Sequence, residues 1–479
     1  MGLRRQAISG AAWTAVSTTS CAALQFVQLV VLARLLQPED FGLMALIVVF
    51  VGFFHLYSDA GLSSAIVQRQ QTTHEELSSL FWLNVLAGLG MLAVLLLCAP
   101  AVSWIYGEPR LRPLLALAAF AFLVLPISQQ FQARLQKALR FDTLAAVDVL
   151  STAAGVATAI FLAYRGFGVR SLVLGFLAST VVRAAALFAL GMRDWRPQLR
   201  LRVSDLGGYV RFGGLHMAER TVNYLGSNLD RLLIGALVGT HGLGLYSIAS
   251  QLVMRPLQVV NPIFTRVAFP IFSRVQNEDQ RLRAGFLDGI RAITFVLFPI
   301  YMGMIVLAEP LVEVILGERW LPSVPILQAV SILGFFYCLG NPLGVLLLAK
   351  ARIELGLYLN VWRVVLYALA ISVGARWGLQ GIAYALVIAT AAGLFPLGFI
   401  VRWLLVRMRP SEYLSAWMPT LISAVVMGVV LWVARDFGPV PGAALGELIL
   451  YTVAGAAVFL VVAIPWQRAF LASLRNVLR

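Results

Sequence analysis

The chain has 479 residues, of which 60% are hydrophobic and only 12% charged. A soluble domain carries about 45–50% apolar and about 25% charged residues, so this composition excludes a soluble globular protein, and it excludes a disordered chain as well. The formal net charge is +15, with 35 Arg among 37 basic residues; in so apolar a chain it reads as loop charge on the inner side of a membrane, not as a nucleic-acid surface. The apolar residues form continuous runs, which sets aside a β-barrel and predicts an all-α polytopic membrane protein.

In chain order, about fourteen transmembrane helices are predicted, over 8–36, 41–68, 78–104, 113–136, 144–164, 168–191, 212–238, 243–272, 287–308, 322–348, 354–376, 379–404, 414–434 and 445–466. Arg4 and Arg5 precede the first run as in a signal peptide. The apolar stretch continues to about Leu36 and many spans follow, so a retained first helix is expected. If the N-terminus is cytoplasmic, 24 basic residues fall in inside segments and 8 in outside ones, with five more inside spans. That bias predicts both termini in the cytoplasm. Trp104, Tyr106 and Trp320 read as anchors at the membrane interface. Leu282 and Phe286, in the inside segment 273–288, suggest a short amphipathic helix on the membrane surface.

The halves repeat. "LARLLQPEDFGLMAL" at 32–46 matches "IGALVGTHGLGLYSI" at 234–248, with Leu35 on Leu237 and Gly42 on Gly244 at an offset of 202. "GVRSLVLG" at 168–175 matches "GLQGIAYA" at 378–385 at an offset of 210. The repeat predicts an N-lobe over 1–191, a cytoplasmic linker over 192–211 containing Trp195 and Pro197, and a C-lobe over 212–404. Residues 405–479, with spans 13 and 14 and a cytoplasmic C-terminus, fall outside it. Parallel repeats of this kind place a substrate site between two pseudo-symmetric six-helix lobes.

The chain has no Walker A motif, no HExxH motif and no long external loop that could hold paired carboxylates. Cys21, Cys98 and Cys338 fit neither a metal site nor a disulfide framework. No cofactor or metal is expected. Catalysis therefore has little support, and transport is the remaining class. Charges inside spans are the informative residues, because each costs at least about 2.5–3.5 kcal/mol at mid-bilayer. In span 7, His216, Arg220, Asn223, Ser227 and Asp230 recur at steps of 4, 3, 4 and 3, with Asn228 and Arg231 adjoining. Span 8 carries Ser247, Gln251, Arg255, Gln258 and Thr265 on one face. Span 1 carries Thr14, Thr18, Cys21, Gln25 and Gln28, and span 2 carries His55, Asp59 and Ser63. Taken singly, Ser, Thr and Gln in a span also serve interhelical packing. Asp230 and Arg231 fit a structural pair as well as a site, and Asp59 fits either a proton or cation site or an Arg partner. Asp148, Arg183 and Arg363 are single charges for which pairing within a lobe is expected. Guanidinium groups take phosphate in forked hydrogen bonds and Asn, Gln and Ser suit sugar hydroxyls, so the stripes suggest an anionic or hydroxyl-rich cargo.

"ARLLQPEDFGLMAL" and "DAGLSSAIVQR" in the first half resemble the polysaccharide-flippase branch of the multidrug/oligosaccharidyl-lipid/polysaccharide exporter superfamily, especially its colanic-acid-exporter-like members. "NLDRLLIGALVGTHGLGLYSIA" at 228–249, "AFPIFSR" at 268–274 and "GLQGIAYAL" at 378–386 agree. The resemblance implies two six-helix lobes in a V around a cavity lined by spans 1, 2, 7 and 8. It implies alternating access for an undecaprenyl-diphosphate-linked oligosaccharide unit, serving exopolysaccharide, O-antigen or lipopolysaccharide synthesis in the bacterial inner membrane. On that basis Arg220 and Arg255 are expected to engage diphosphate or acidic sugar, with Gln25 and Asn228 on sugar hydroxyls. Asn223, Ser227, Gln28, Gln251, Gln258 and His216 complete the expected cavity lining, while Asp59, Asp230 and Arg231 balance charge or couple to a proton or sodium gradient. A monomer among membrane lipids is expected, with a polysaccharide polymerase and a chain-length regulator as candidate partners and no nucleic acid. A multidrug exporter and a lipid II flippase share the fold and stay open as alternatives. A membrane glycan polymerase or ligase is the alternative of another class.

Overall fold

The computed structural model describes residues 3–59, 73–202, 209–437 and 444–466. Among them there is no strand. The helices are α1 (Leu3–Leu35), α2 (Pro38–Asp59), α3 (His74–Ile105), α4 (Leu111–Ala119), α5 (Ala121–Lys137), α6 (Phe141–Tyr164), α7 (Val169–Asp194) and α8 (Tyr209–Arg274). There follow α9 (Asp279–Val306), α10 (Ala308–Ile315), α11 (Val324–Ala349), α12 (Ile353–Gly374), α13 (Gly378–Ala389), α14 (Phe395–Val406), α15 (Pro410–Phe437) and α16 (Ala444–Trp466). A π-turn over Thr390–Leu394 joins α13 to α14.

Twelve helical stretches among the described residues are long and apolar enough to cross a membrane. Two are of double length, Arg220–Pro262 with 43 residues and Glu354–Val406 with 53, where one crossing needs about 20. Each is broken at glycine. Gly239 in α8 has φ 84° and ψ 179°, which no helix contains. Gly378, after the short turn Ala375–Trp377, has φ 68°. Only glycine adopts such angles freely, so the chain changes direction there.

By its internal contacts the chain divides into two compact units, Met1–Gly244 and Leu245–Arg479. In the first unit α6 packs on α1 and α7, α5 packs on α3 and α7, and α2 packs on α3. The α6–α7 approach is close because Gly155 and Gly175 face one another: a Cβ on either would lie 2.8 Å from the other's carbonyl oxygen. Backbones approach that closely only over small residues. An aromatic core joins Phe81, Phe131 and Trp195, and Arg134 lies 5.0 Å over the Trp195 ring. Residues 195–202 are strapped to the start of α3: the Trp82 indole donates to the Gln198 carbonyl at 2.7 Å, and Arg200 pairs with Glu75 at 2.6 Å.

In the second unit α9 packs on α11 and α15, α12 on α13, and α15 on α16. Two expectations fail here. Leu282 and Phe286 do not belong to a separate surface helix; both are fully buried in the first turns of the continuous α9. Their spacing marks a face packed on protein, with Phe286 stacked at 6.3 Å on Tyr413 of α15. Trp320 is also fully buried, whereas Trp104 keeps 84% of its surface exposed as an interface anchor requires.

Candidate functional site

The polar stripes are clearest on the first half of α8, in the first unit. The Tyr224 hydroxyl donates to the Val49 carbonyl at 2.8 Å, and Tyr57 and Thr221 share a hydrogen bond of 2.9 Å. Thr221, Tyr224 and Asn228 therefore form the face turned toward α2, at helical steps of 3 and 4. The neighbouring arc, Arg220, Asn223 and Ser227, is exposed. Asn228 is buried and engaged within its own helix: its amide nitrogen donates to the Tyr224 carbonyl at 2.9 Å, and its carbonyl oxygen accepts from Arg231 Nη1 at 3.1 Å. The Arg231 backbone N–H donates to Asp230 Oδ1 at 2.9 Å, and both side chains are half-buried. The His216 and Asp59 side chains, and Ser63, lie outside the described residues.

The remaining stripes divide similarly. On α1, Gln25 is exposed and Gln28 half-buried, while Cys21 accepts a hydrogen bond of 3.4 Å from Thr152 of α6. On α2, the His55 ring nitrogen Nε2 lies 3.1 Å from Gln129 Nε2 on α5. The second half of α8, in the second unit, carries Gln251 and Arg255 half-buried and Gln258 exposed. Pro256 and Pro262 lie on either side of Gln258 and remove two backbone donors from this segment. The structure thus brings Arg220, Asn223 and Ser227 onto one exposed face and turns Asn228 and Arg231 toward each other. Exposed guanidinium, amide and hydroxyl groups on a span can hydrogen-bond phosphate and sugar, and they do not belong against hydrocarbon. Asp148 and Arg183 form the intralobe pair expected of them, at 2.8 Å.

One cluster escaped the motif reading. The α1–α2 turn meets the Gly239 break, all within the first unit. A Cβ on Gly42 would strike the Thr240 carbonyl, and one on Gly244 would strike the Pro38 carbonyl. At the repeat offset of 202, Pro38 corresponds to Thr240 and Gly42 to Gly244, so the contact is reciprocal. Glu39 and His241, again one offset apart, meet at 2.7 Å. Contacts exchanged between equivalent positions in this way mark a local two-fold axis. Beside them Glu108 accepts from Arg110 at 3.0 Å and from Thr240 at 3.5 Å. The Arg110 guanidinium holds the Glu108 carboxyl below the usual range for a glutamate. The offset was visible in the sequence; that it brings equivalent residues into contact was not.

Comparison with known proteins adds the following. The family described as "Polysaccharide biosynthesis protein" matches residues 31–325. The chain is 30% identical to the lipopolysaccharide biosynthesis protein WzxC of Escherichia coli (strain K12), covering 90% of this chain and 89% of that protein. It is 31% identical to the teichuronic acid biosynthesis protein TuaB of Bacillus subtilis (strain 168), over 89% of each. Among solved structures, the lipid II flippase MurJ in an inward closed conformation superposes with a TM-score of 0.76 at 14% identity, over 95% of this chain and 99% of that one. An outward-facing MATE multidrug transporter gives 0.55 at 15% identity, over 83% and 96%. At such identities the structural likeness carries the fold and not the cargo.

Proposed function

The chain belongs to the polysaccharide biosynthesis protein family, and from that premise we propose that it is a flippase for lipid-diphosphate-linked oligosaccharide units. The similarity to WzxC and TuaB over about nine-tenths of the chain carries this reading. The protein is a transporter and not an enzyme. It carries a repeat unit from the cytoplasmic to the outer face of the bacterial inner membrane by alternating access, with undecaprenyl diphosphate as the lipid.

Fourteen crossings follow if the double-length stretches each cross twice, with both termini cytoplasmic and lobes at 1–191 and 212–404. We assign the cargo's polar contacts to the exposed Arg220–Asn223–Ser227 face with Gln25 and Gln28 in the first unit, and to Gln251, Arg255 and Gln258 in the second; His216, whose side chain lies outside the described residues, keeps the role that its sequence spacing suggests. Arg220 and Arg255 take the diphosphate. Asp59 and Asp230 balance its charge or couple it to a proton or sodium gradient. Asn228 and Arg231, already hydrogen-bonded to each other, support the face and do not touch cargo. The flippase acts as a monomer that hands its cargo to a polymerase and chain-length regulator.

The test is a deletion strain of the source organism in which lipid-linked glycans are extracted and assayed for sidedness. Accumulation of a complete repeat unit on the cytoplasmic face, with surface polymer lost, is expected. Arg220→Ala and Arg255→Ala should each fail to restore export at normal membrane levels, with losses of about tenfold or more. Normal glycan pools together with new drug sensitivity would replace this reading with a multidrug exporter.

A further inference from the structure

The second unit contains a cavity of about 290 Å³ that none of these stripes enters. It lies between α11, α12 and the α13–α14 stretch, and its polar lining is Tyr337, Asn341, Asn360, Arg363, Thr390 and Arg402. Arg402 is only 2% exposed. Its Nη2 donates to the Leu339 carbonyl at 2.8 Å and to the Tyr413 hydroxyl at 3.1 Å, and the guanidinium sits 4.0 Å over the Tyr413 ring. Its Nε and Nη1 are buried and bonded to nothing, and so is Nε of Arg363. No carboxylate pairs with either arginine among the described residues. The expectation that Arg363 pairs within its lobe therefore fails.

A guanidinium cannot shed its proton to escape burial. A buried charge without a counter-charge is disfavoured, and two of the same sign in one cavity more so. The local structure nonetheless makes room for them. A Cβ on Gly398 would come within 2.8 Å of Arg402 Nη1, so the glycine leaves room for the side chain where it folds back along α14. The π-turn Thr390–Leu394 opens the helix where Thr390 meets Tyr367 at 2.9 Å and Tyr367 meets Tyr337 at 3.2 Å. Such bulges occur frequently at functional sites.

We propose that this cavity is an anion site for a phosphate group carried on an apolar ligand. Two guanidinium groups and two amides match phosphate oxygens. The rest of the wall is largely apolar, with Phe336, Leu347 and Leu394 suited to a hydrocarbon chain. Leu347, Gly356 and Arg402 place it near the helix ends at Ala349, Ile353 and Val406. Basic pockets between spans near a membrane face bind phospholipid headgroups in this manner. The site is independent of the proposed cargo and of the flippase reading.

The test uses the full-length protein, delipidated in detergent. Its thermal unfolding is followed with inorganic phosphate, phosphatidylglycerol, phosphatidylethanolamine or chloride. Because Arg402 also holds α11 to α15, the informative variants are Arg363→Gln and Asn360→Leu. Phosphatidylglycerol is expected to raise the unfolding temperature more than phosphatidylethanolamine does, and Arg363→Gln should weaken its apparent affinity about tenfold or more. Stabilisation by phosphatidylglycerol alone assigns a lipid headgroup, while equal stabilisation by free phosphate assigns the phosphate itself. The proposal is overturned if no phosphate compound stabilises the protein, if chloride does so equally, or if both variants fold and bind as the natural chain does.

Discussion

The junction of residues 38–42 with 239–244 and the cavity between α11, α12 and α14 are both places where helices of one unit bring charged side chains together, and they settle those charges in opposite ways. At the junction, Glu39 meets His241 at 2.7 Å and Glu108 meets Arg110 at 3.0 Å, while glycines let the backbones touch. In the cavity, Arg402 and Arg363 keep unused donors and no acid among the described residues answers them. The first arrangement closes a contact; the second keeps open space with a fixed positive charge. An ion pair that is already made can only hold, whereas an unmade one can bind.

The strongest way to break this contrast is to prise the junction apart. Gly42→Ala and Gly244→Ala each place a methyl against the opposing carbonyl. Each should cost about 2–3 kcal/mol, the range of overpacking against groups that cannot move. Because the contact is reciprocal, the two losses should agree within about 0.5 kcal/mol, and the double variant should cost less than their sum because the sites touch. Denaturant or thermal unfolding of the purified variants reads this directly. Losses that differ several-fold would show that the two-fold relation is confined to the sequence.

The next effect compares charges inside spans. Asp148→Ala leaves Arg183 without its 2.8 Å partner. Both side chains are about one-third exposed, which limits the loss to about 1–2 kcal/mol. Arg363→Met removes a charge with no ionic partner. It should be neutral or stabilise by about 1 kcal/mol, because exchanging a desolvated charge for a packed apolar group commonly does. Equal losses in the two variants would mean that Arg363 is held by a counter-charge in the membrane-embedded protein.

The fold was largely legible because the bilayer imposes it. Apolar runs locate helices wherever water is excluded, and the predicted gaps between 238 and 243 and between 376 and 379 fall on the breaks at Gly239 and Gly378 inside otherwise continuous helix. Legibility ended where the opposite partner mattered. The spacing of Leu282 and Phe286 is the same for a helix lying on lipid and for one packed on Tyr413. Trp320 sits at a span end like Trp104, and only tertiary contacts bury it. On α8 the steps of 3 and 4 separate the faces, but which face meets α2 depends on Tyr224 reaching Val49, 175 residues away. For the same reason a single span charge does not disclose its partner: Asp148 and Arg183 have each other, and Arg363 has none among the described residues.

The smallest effect tests whether the junction is held by charge as well as by shape. Hydrogen bonds from Arg110, reinforced by its charge, lower the Glu108 carboxyl from its ordinary value of 4.5. A carboxylate with a depressed folded-state pKa contributes stability that is present above its unfolded value and lost as pH falls through the folded one. Arg110 is more than half exposed, at 54%, so water and salt screen the pair and its worth is a few tenths of a kcal/mol. Glu108→Gln should therefore lower the unfolding temperature slightly at pH 7 and low salt. The difference should shrink in high salt and fall away as the pH drops through the lowered folded-state value of Glu108, below which the natural side chain is neutral too. A difference that persists unchanged at low pH would assign the role of Glu108 to its neutral hydrogen bond with Thr240, leaving shape alone to close the junction.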